Sequence, residues 1–142
     1  MRNIKRLVVH CTDTSPEATV QAIRDGFARR GWKNPGYHFL IDAKGTTHPL
    51  LPITQIANGA KGYNATSIHL CYIGGRITDK SSKRGYRNAD TRTEPQRRAI
   101  GYLLKDLAKQ FPKAKIVGHR DLNPHKGCPL FDVKGEWGEE VG

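Results

Sequence analysis

The sequence predicts an α/β fold, a single domain in which a mixed central β-sheet is flanked by helices. Short apolar runs rich in β-branched residues alternate with two segments of helical periodicity, which is the pattern of such a sheet. The chain has 142 residues, the size of one domain, and contains no low-complexity tract. We therefore expect one domain over residues 1–142, with the element order β, α, β, β, β, α, β.

The first strand and the first helix are predicted at the start of the chain. The apolar run 6–10 is a buried strand that ends at His10, and the polar residues 11–15 form a loop. Ser-Pro-Glu at 15–17 predicts a helix start, because it supplies an N-cap, a first-turn proline and an acid at the positive helix end. An apolar face at helical spacing follows, and Gly31 ends the helix.

Three strands and a long loop are predicted in the middle of the chain. Residues 37–42 and 46–51 form an antiparallel pair, joined by the Asp-Ala-Lys-Gly turn between them. The run 67–73 is a central strand that ends in a Gly-Gly turn. The polar and basic stretch 79–92 has no periodicity, so we expect a long irregular loop there.

A long amphipathic helix is predicted in the last third. Thr93 and Gln96 have the spacing of a capping box, and an apolar stripe at helical spacing follows as far as the Phe-Pro pair at 111–112. Residues 115–118 are the last strand, and 131–137 form a short terminal helix.

The charge and the cysteine count restrict the possible partners. Lys and Arg number 24 against 13 acids, a net charge of +11 that favours polyanionic partners. No nucleic-acid-binding motif is present, and aromatic residues are scarce in the basic stretch 80–98, so we expect no specific nucleic-acid binding. Three cysteines are an odd number that favours reduced thiols or a metal site over a disulfide framework.

The first ten residues predict neither a signal peptide nor a membrane span. Their apolar run is only three residues long, far below the length of a signal-peptide core. We therefore expect synthesis in the cytoplasm.

The segment 118–129 carries the residues most typical of a metal site. Imidazole and thiolate are preferred zinc donors, and a catalytic zinc has three protein ligands, so His119 and Cys128 need a distant third. The best candidate is His10, because sites in open α/β sheets lie beyond strand ends. A single histidine near a strand end is more often structural, but two of them with a cysteine strengthen the metal interpretation.

Six short motifs occur in a recognisable order: Val-His-Cys-Thr at 9–12, Gly-Tyr-His-Phe at 36–39, Ala-Lys-Gly-Tyr-Asn at 60–64, Ser-Ile at 67–68 with Gly-Gly at 74–75, Gly-His at 118–119 and Lys-Gly-Cys-Pro at 126–129. In this order the chain resembles the zinc-dependent N-acetylmuramoyl-L-alanine amidases, the family of T7-type phage lysozymes and peptidoglycan recognition proteins. The resemblance extends from residue 5 to about 137.

The resemblance implies a zinc amidase that cuts peptidoglycan between N-acetylmuramic acid and L-alanine. It implies that His10, His119 and Cys128 bind zinc and that Tyr37 and Lys126 line the reacting carbonyl. Such a zinc ion lowers the pKa of its water to about 7, and a Tyr hydroxyl and a Lys ammonium suit the oxyanion that water attack creates.

The other histidines and cysteines receive structural interpretations. His38 is expected to be a core hydrogen-bonding residue, on the opposite face of its strand from Tyr37. Cys11 is expected to face away from His10, and Cys71 to be a small buried residue beside His69. His69 and His125 depart from the family pattern, and His69 is expected to narrow the substrate groove or to add a polar contact.

Two other function classes stay open at this stage. One is a peptidoglycan-binding module without catalysis, and the other is a Cys/His peptidase with Cys11 or Cys128 as nucleophile. As an amidase, the chain is expected to act as a monomer on the cell wall of the periplasm after release, as phage or prophage endolysins do, although a recycling amidase also fits. The basic stretch 80–98 is then a solvated, wall-facing surface.

Overall fold

The computed structural model describes residues 2–137, so residue 1 and residues 138–142 of the predicted domain lie outside the described part. The described part contains seven strands: β1 Arg6–Cys11, β2 Phe39–Ile41, β3 Thr47–Pro49, β4 Ser67–Tyr72, β5 Arg76–Thr78, β6 Tyr86–Asn88 and β7 Lys115–Gly118. Four α-helices accompany them: α1 Val20–Arg29, α2 Glu94–Gln110, α3 His119–Leu122 and α4 Val133–Trp137.

The central sheet is mixed, as predicted. Five strands lie in the order β3-β2-β4-β1-β7, and β1 is parallel to both of its neighbours, β4 and β7. Strand β2 is parallel to β4 and antiparallel to β3. Strands β5 and β6 form a separate antiparallel hairpin. The parallel strands β1 and β7 end at the same edge of the sheet, where loops can bring side chains together.

Helices cover both faces of this sheet. Helix α2 packs three buried side chains against one face, where they join the main apolar cluster: Ile100, Leu104 and Leu107. Helix α1 lies on the other face, where Val20 and Ile23 pack against a second cluster. Within residues 2–137, no helix combines the length and apolar character that crossing a membrane requires.

The capping box predicted for α2 is confirmed, and its glutamine also joins the helix to the sheet. The Thr93 hydroxyl accepts from the Gln96 N–H, and the Gln96 side chain accepts from the Thr93 N–H. The Gln96 amide nitrogen also donates to the carbonyls of Ile41 and Ile73, at 3.2 and 3.0 Å. Gln96 is fully buried, so these bonds satisfy polar groups that water cannot reach.

The predicted start of α1 at Ser15 is wrong. Ser15 closes a local turn by accepting from the Glu17 N–H and the Ala18 N–H, and the helix begins at Val20. Thr19 is the N-cap, and its hydroxyl accepts from the Ala22 N–H. Two hydroxyl residues in sequence compete for the capping role, and the second makes the cap. The predicted end is confirmed, with Gly31 at a positive φ of 74° just beyond the helix.

The predicted irregular loop at 79–92 is also wrong, because part of it is the β5–β6 hairpin. Gly85, at a φ of 80°, lies in the turn before β6 and lets the chain reverse. The guanidinium groups of Arg76 and Arg84 lie over the Tyr86 ring, at 3.9 and 4.5 Å from its centroid. Strands of three residues are too short for an alternation pattern to predict.

The basic side chains of the stretch 80–98 are exposed except for that of Arg92, which contradicts its predicted place on a solvated surface. Arg92 is only 8% exposed and forms ion pairs with Asp90 and Glu136 at 3.0 and 2.8 Å. Its guanidinium carbon lies 3.3 Å from the centroid of the Phe131 ring. Two carboxylates offset the cost of burying this charge, so Arg92 joins α4 to the loop before α2.

Candidate active site

Three predicted ligands come together at the edge of the sheet where β1 and β7 end. His10 is the second-last residue of β1, His119 follows β7 as the first residue of α3, and Cys128 lies in the loop after α3. One donor atom from each side chain lies within 4.8 Å of the other two. The predicted last strand at 115–118 is confirmed as β7, and the one-turn helix α3 begins at the next residue, His119.

The backbone of Cys11 holds the sulfur of Cys128. The Cys11 N–H donates to Cys128 Sγ at 3.0 Å, and the Arg120 N–H donates to the Cys128 carbonyl at 2.8 Å. The side-chain hydrogen bond with the Cys11 thiol, followed by burial, raises the pKa of the Cys128 thiol, whereas the bond from the Cys11 N–H lowers it. Without a cation beside it, this sulfur is a thiol, and a bound metal ion would deprotonate it.

The two histidines of the cluster are in contact with each other. The ring centroids of His10 and His119 are 4.7 Å apart, and the Gly118 N–H at the start of α3 donates to Asp121 Oδ2 at 2.7 Å. Burial, followed by the neighbouring charges of His69 and His119, lowers the pKa of His10 well below its usual value. Burial and then Lys126 lower the pKa of His119. Both rings are therefore neutral at pH 7, the form that binds metals.

The donor set fits a zinc ion. Two imidazole nitrogens and one sulfur are a zinc-preferring combination, and in a tetrahedral site such donors lie about 3.5 Å apart. The three donor atoms are at most 4.8 Å apart, so only a small inward movement of the side chains would bring them to the distances of a zinc site. His10 Nε2 is engaged with His69 Nδ1 at 2.9 Å, so His10 Nδ1 is the nitrogen left for a metal ion.

Tyr37 and Lys126, the two predicted catalytic residues, line the same cleft as the cluster. The Tyr37 ring is half-buried and lies 5.1 Å from the His10 ring, between centroids. Burial, and then the thiols of Cys71 and Cys128, raise the pKa of Tyr37 well above its usual value, so its hydroxyl remains a donor. Lys126 is exposed, and its loop is held by the Lys126 N–H, which donates to the Asn123 carbonyl at 3.0 Å.

The cluster lies in the wall of a cleft of about 850 Å³. Basic side chains line the cleft at several points: Arg30, Lys61, Arg76 and Lys126. Trp32 and Asn58 also line it and add an aromatic and an amide group. A long substrate with anionic and amide groups suits such a lining.

The structural interpretation of His38 is confirmed, but the expected geometry is not. His38 is fully buried, and its Nε2 lies 2.8 Å from the Gln55 carbonyl. Strand β2 begins only at Phe39, so strand alternation does not separate His38 from Tyr37. His38 instead stacks on His69, with ring centroids 6.0 Å apart and an interplanar angle of 2°.

The two other cysteines lie where strand alternation places them. Cys71 is 1% exposed and packs on the α1 side of the sheet, whereas Cys11 joins the apolar cluster on the α2 side, away from the His10 ring. His69 is fully buried and does not line the cleft, so it does not narrow the groove. The polar contact that His69 adds is a hydrogen bond with His10.

Sequence reasoning missed two contacts of the site. The Cys11 N–H bond to Cys128 could not be predicted, because a backbone donor leaves no mark in the sequence. The sequence indicated the contact of His69 with His10 only weakly. Alternation along β4 places His69 on the same face as Cys71, but it does not identify His10 as the partner of His69. Only the pairing of β1 with β4 brings these residues of two separate segments together.

Comparison with known proteins places these features in a family. The model of the family described as N-acetylmuramoyl-L-alanine amidase matches residues 1–130. The endolysin of Klebsiella phage KP32 is 32% identical over 134 residues, covering 93% of this chain and 84% of that protein. The endolysin of Escherichia phage T7 is 35% identical over 133 residues, covering 92% and 83%. The solved structure of the Ph2119 endolysin, from Thermus scotoductus MAT2119 bacteriophage Ph2119, has a TM-score of 0.77 at 26% identity, covering 100% and 87%.

Proposed function

The chain belongs to the N-acetylmuramoyl-L-alanine amidase family, and from this premise we propose that it is a zinc enzyme with His10, His119 and Cys128 as ligands. It hydrolyses the amide bond between N-acetylmuramic acid and L-alanine in peptidoglycan. The observation that carries the zinc proposal is the convergence of the three donor atoms within 4.8 Å of one another in the wall of a cleft.

The three proposed ligands have different roles in the metal centre. When bound, zinc supplies a Lewis acid that polarises a carbonyl and lowers the pKa of a water molecule to about 7. His10 and His119 provide neutral lone pairs, since burial lowers the pKa of both. Cys128 provides the one anionic donor, and the N–H of Cys11 stabilises the charge on its sulfur.

Tyr37 and Lys126 are proposed to stabilise the oxyanion that forms when water attacks the amide carbonyl. Tyr37 keeps its proton at neutral pH and lies beside the His10 ring. Lys126 lines the same cleft and carries a positive charge. Neither is a good zinc ligand at neutral pH, so both act on the substrate.

The cleft lining fits a substrate made of a glycan and a peptide. Carboxylates of the peptide stem would meet a basic lining that includes Arg30, Lys61 and Arg76. The net charge of +11 favours the first encounter with an anionic wall. We also propose that the chain acts as a monomer on the cell wall after release from the cytoplasm, as an endolysin.

Digestion of purified peptidoglycan with and without a chelator tests the proposed function. We expect mass spectrometry to find free stem peptides that begin with L-alanine, and none after zinc is removed. Restoration of activity by added zinc is the control for nonspecific damage. Cuts within the peptide stem that persist in the chelator and stop with a thiol alkylator would instead indicate the Cys/His peptidase. Binding without any cut would indicate the binding module.

A further inference from the structure

A chain of polar side chains leads from the half-buried Asn64 through the buried His69 to the buried His10. Asn64 Oδ1 lies 2.9 Å from His69 Nε2, and His69 Nδ1 lies 2.9 Å from His10 Nε2. We propose that His69 is a positioning residue that holds His10 in the tautomer whose Nδ1 binds the metal ion. This inference rests on the proposed zinc centre and adds a residue to it that is not itself a ligand.

The hydrogen positions in this chain follow from one backbone group. The Ala60 N–H can only donate, and it lies 2.8 Å from Asn64 Oδ1, so the atom that faces it must be the amide oxygen. The same oxygen faces His69 Nε2. An oxygen acceptor requires a hydrogen on the opposing nitrogen, so His69 carries its hydrogen on Nε2.

The tautomer of His10 follows in turn. In a neutral ring with a hydrogen on Nε2, Nδ1 has a free lone pair, so His69 Nδ1 accepts and His10 Nε2 donates. His10 then has its hydrogen on Nε2 and its lone pair on Nδ1. This is the nitrogen that remains to face His119 and Cys128. Both rings are buried, and within residues 2–137 no carboxylate is among their hydrogen-bond partners, which favours the neutral form.

The His69 ring is fixed from two further sides. Gly59 packs directly on it, and a Cβ atom at that position would clash with the imidazole. On another side the His38 ring stacks on it. The His69 N–H donates to His38 Nδ1 at 3.0 Å, so His38 carries its hydrogen on Nε2 and donates to the Gln55 carbonyl. His69 therefore has little freedom to turn away from His10.

Loss of His69 would leave the His10 Nε2–H buried without an acceptor. His10 could then move its hydrogen to Nδ1, which would block the metal-binding nitrogen, or its ring could turn. Removing a partner that fixes the tautomer of a metal-binding histidine costs about 10- to 100-fold in metal affinity.

The tautomers can be read directly in the unmodified protein. We expect ¹⁵N–¹H correlation spectra of the imidazole rings in the zinc-free chain at pH 7.5 to show the Nε2–H tautomer for both His10 and His69. A hydrogen on Nδ1 of His10 would overturn the inference. This measurement requires no substitution, so it decides the question even if every His69 variant fails to fold.

Zinc affinity of two variants tests the consequence. His69→Phe keeps a ring of similar size but removes both hydrogen bonds, and we expect zinc affinity to fall about 10- to 100-fold in competition with a chromophoric chelator. His69→Gln has an amide oxygen that can accept from His10, so it should lose less. The matched control is His48→Gln, because His48 bonds to Asp42 in the β2–β3 turn region and does not line the cleft. Its zinc affinity should equal that of the parent.

The outcomes separate this inference from the proposed function. If the parent chain binds no zinc, the zinc centre itself is wrong, and the spectra still show whether His10 and His69 both carry their hydrogens on Nε2. If the parent binds zinc and a folded His69→Phe variant has a zinc affinity within about threefold of the parent's, the zinc centre stands and His69 is only a core residue.

Discussion

The two faces of the central sheet are buried equally but are built from different side chains. The face toward α2 carries aliphatic and aromatic groups: Leu7, Val9, Leu70 and Tyr72. The face toward α1 carries two imidazoles from the same two strands, His10 and His69, beside a smaller apolar cluster that includes Cys71. None of these seven residues is more than 1% exposed.

This difference indicates that the two faces have different tasks. Burial of an aliphatic side chain stabilises the fold by about 1.5–3 kcal/mol and requires no particular direction of contact. A buried histidine stabilises little unless each ring nitrogen has a partner, so its partners fix its orientation. The α2 face therefore supplies most of the apolar stabilisation, and the α1 face fixes the His10 ring of the proposed metal centre, while Cys128 packs against the α2-side cluster.

The largest expected effect is on the metal centre itself. His10→Ala, His119→Ala and Cys128→Ala should each weaken zinc binding and abolish most activity, because each removes one of three ligands. Stability should fall as well, since the energy of metal binding contributes to folding. Elemental analysis after dialysis measures the zinc content, and unchanged zinc in all three variants would place the site elsewhere.

The next effect concerns chemistry without metal loss. Tyr37→Phe and Lys126→Met should lower the turnover number about 100- to 1,000-fold, because each removes a donor to the oxyanion. Zinc content and apparent substrate affinity should stay at the parent level. Turnover near the parent rate would contradict the assignment, and loss of zinc together with activity would make the residue a structural support.

The apolar face should respond in stability alone. Leu104 is fully buried in the cluster against α2, so Leu104→Ala should lower the free energy of unfolding by about 2–5 kcal/mol. Zinc affinity at 20 °C should not change, because Leu104 is not in contact with the α1 face. Urea unfolding and chelator competition on the same sample measure both quantities, and a parallel loss of zinc affinity would show that the two faces are coupled.

The smallest expected effect is the pH dependence of the histidine face. Burial lowers the pKa of His38 from 6.5 to about 4. The unfolded chain therefore binds a proton at a higher pH than the folded chain, so this contribution is complete above pH 6.5 and is lost as the pH falls toward 4. Its slope in that window is about 1.4 kcal/mol per pH unit.

Urea unfolding of zinc-free His38→Gln and parent between pH 4.5 and 6.5 measures this contribution. The stability difference between the two chains should shrink by about 1.4 kcal/mol for each unit that the pH falls. The matched comparison is Leu104→Ala, whose difference from the parent should be the same at every pH. A constant difference for His38→Gln would mean that His38 does not titrate as its burial implies.

Local signals in the sequence were sufficient for much of the fold. The cap at Thr93 and Gln96 predicted α2, because its two partners lie three residues apart, and the apolar run at 115–118 predicted β7 from its own composition. The same local reasoning failed for α1, where Ser15 and Thr19 both offer a cap, and only packing of Val20 onto the sheet decides between them.

The sequence by itself determined the types of residue at the site: His10, His119 and Cys128 as proposed zinc donors, and Tyr37 and Lys126 as proposed catalytic residues. Only the tertiary structure decided how they are held. The parallel pairing of β1 with β4 brings His69 to His10, two residues 59 positions apart, and the loop after α3 carries Cys128 to the Cys11 N–H. The physical reason is that a hydrogen bond requires a direction and a distance, and for residues so far apart only the register of the strands and the path of the loops supply them.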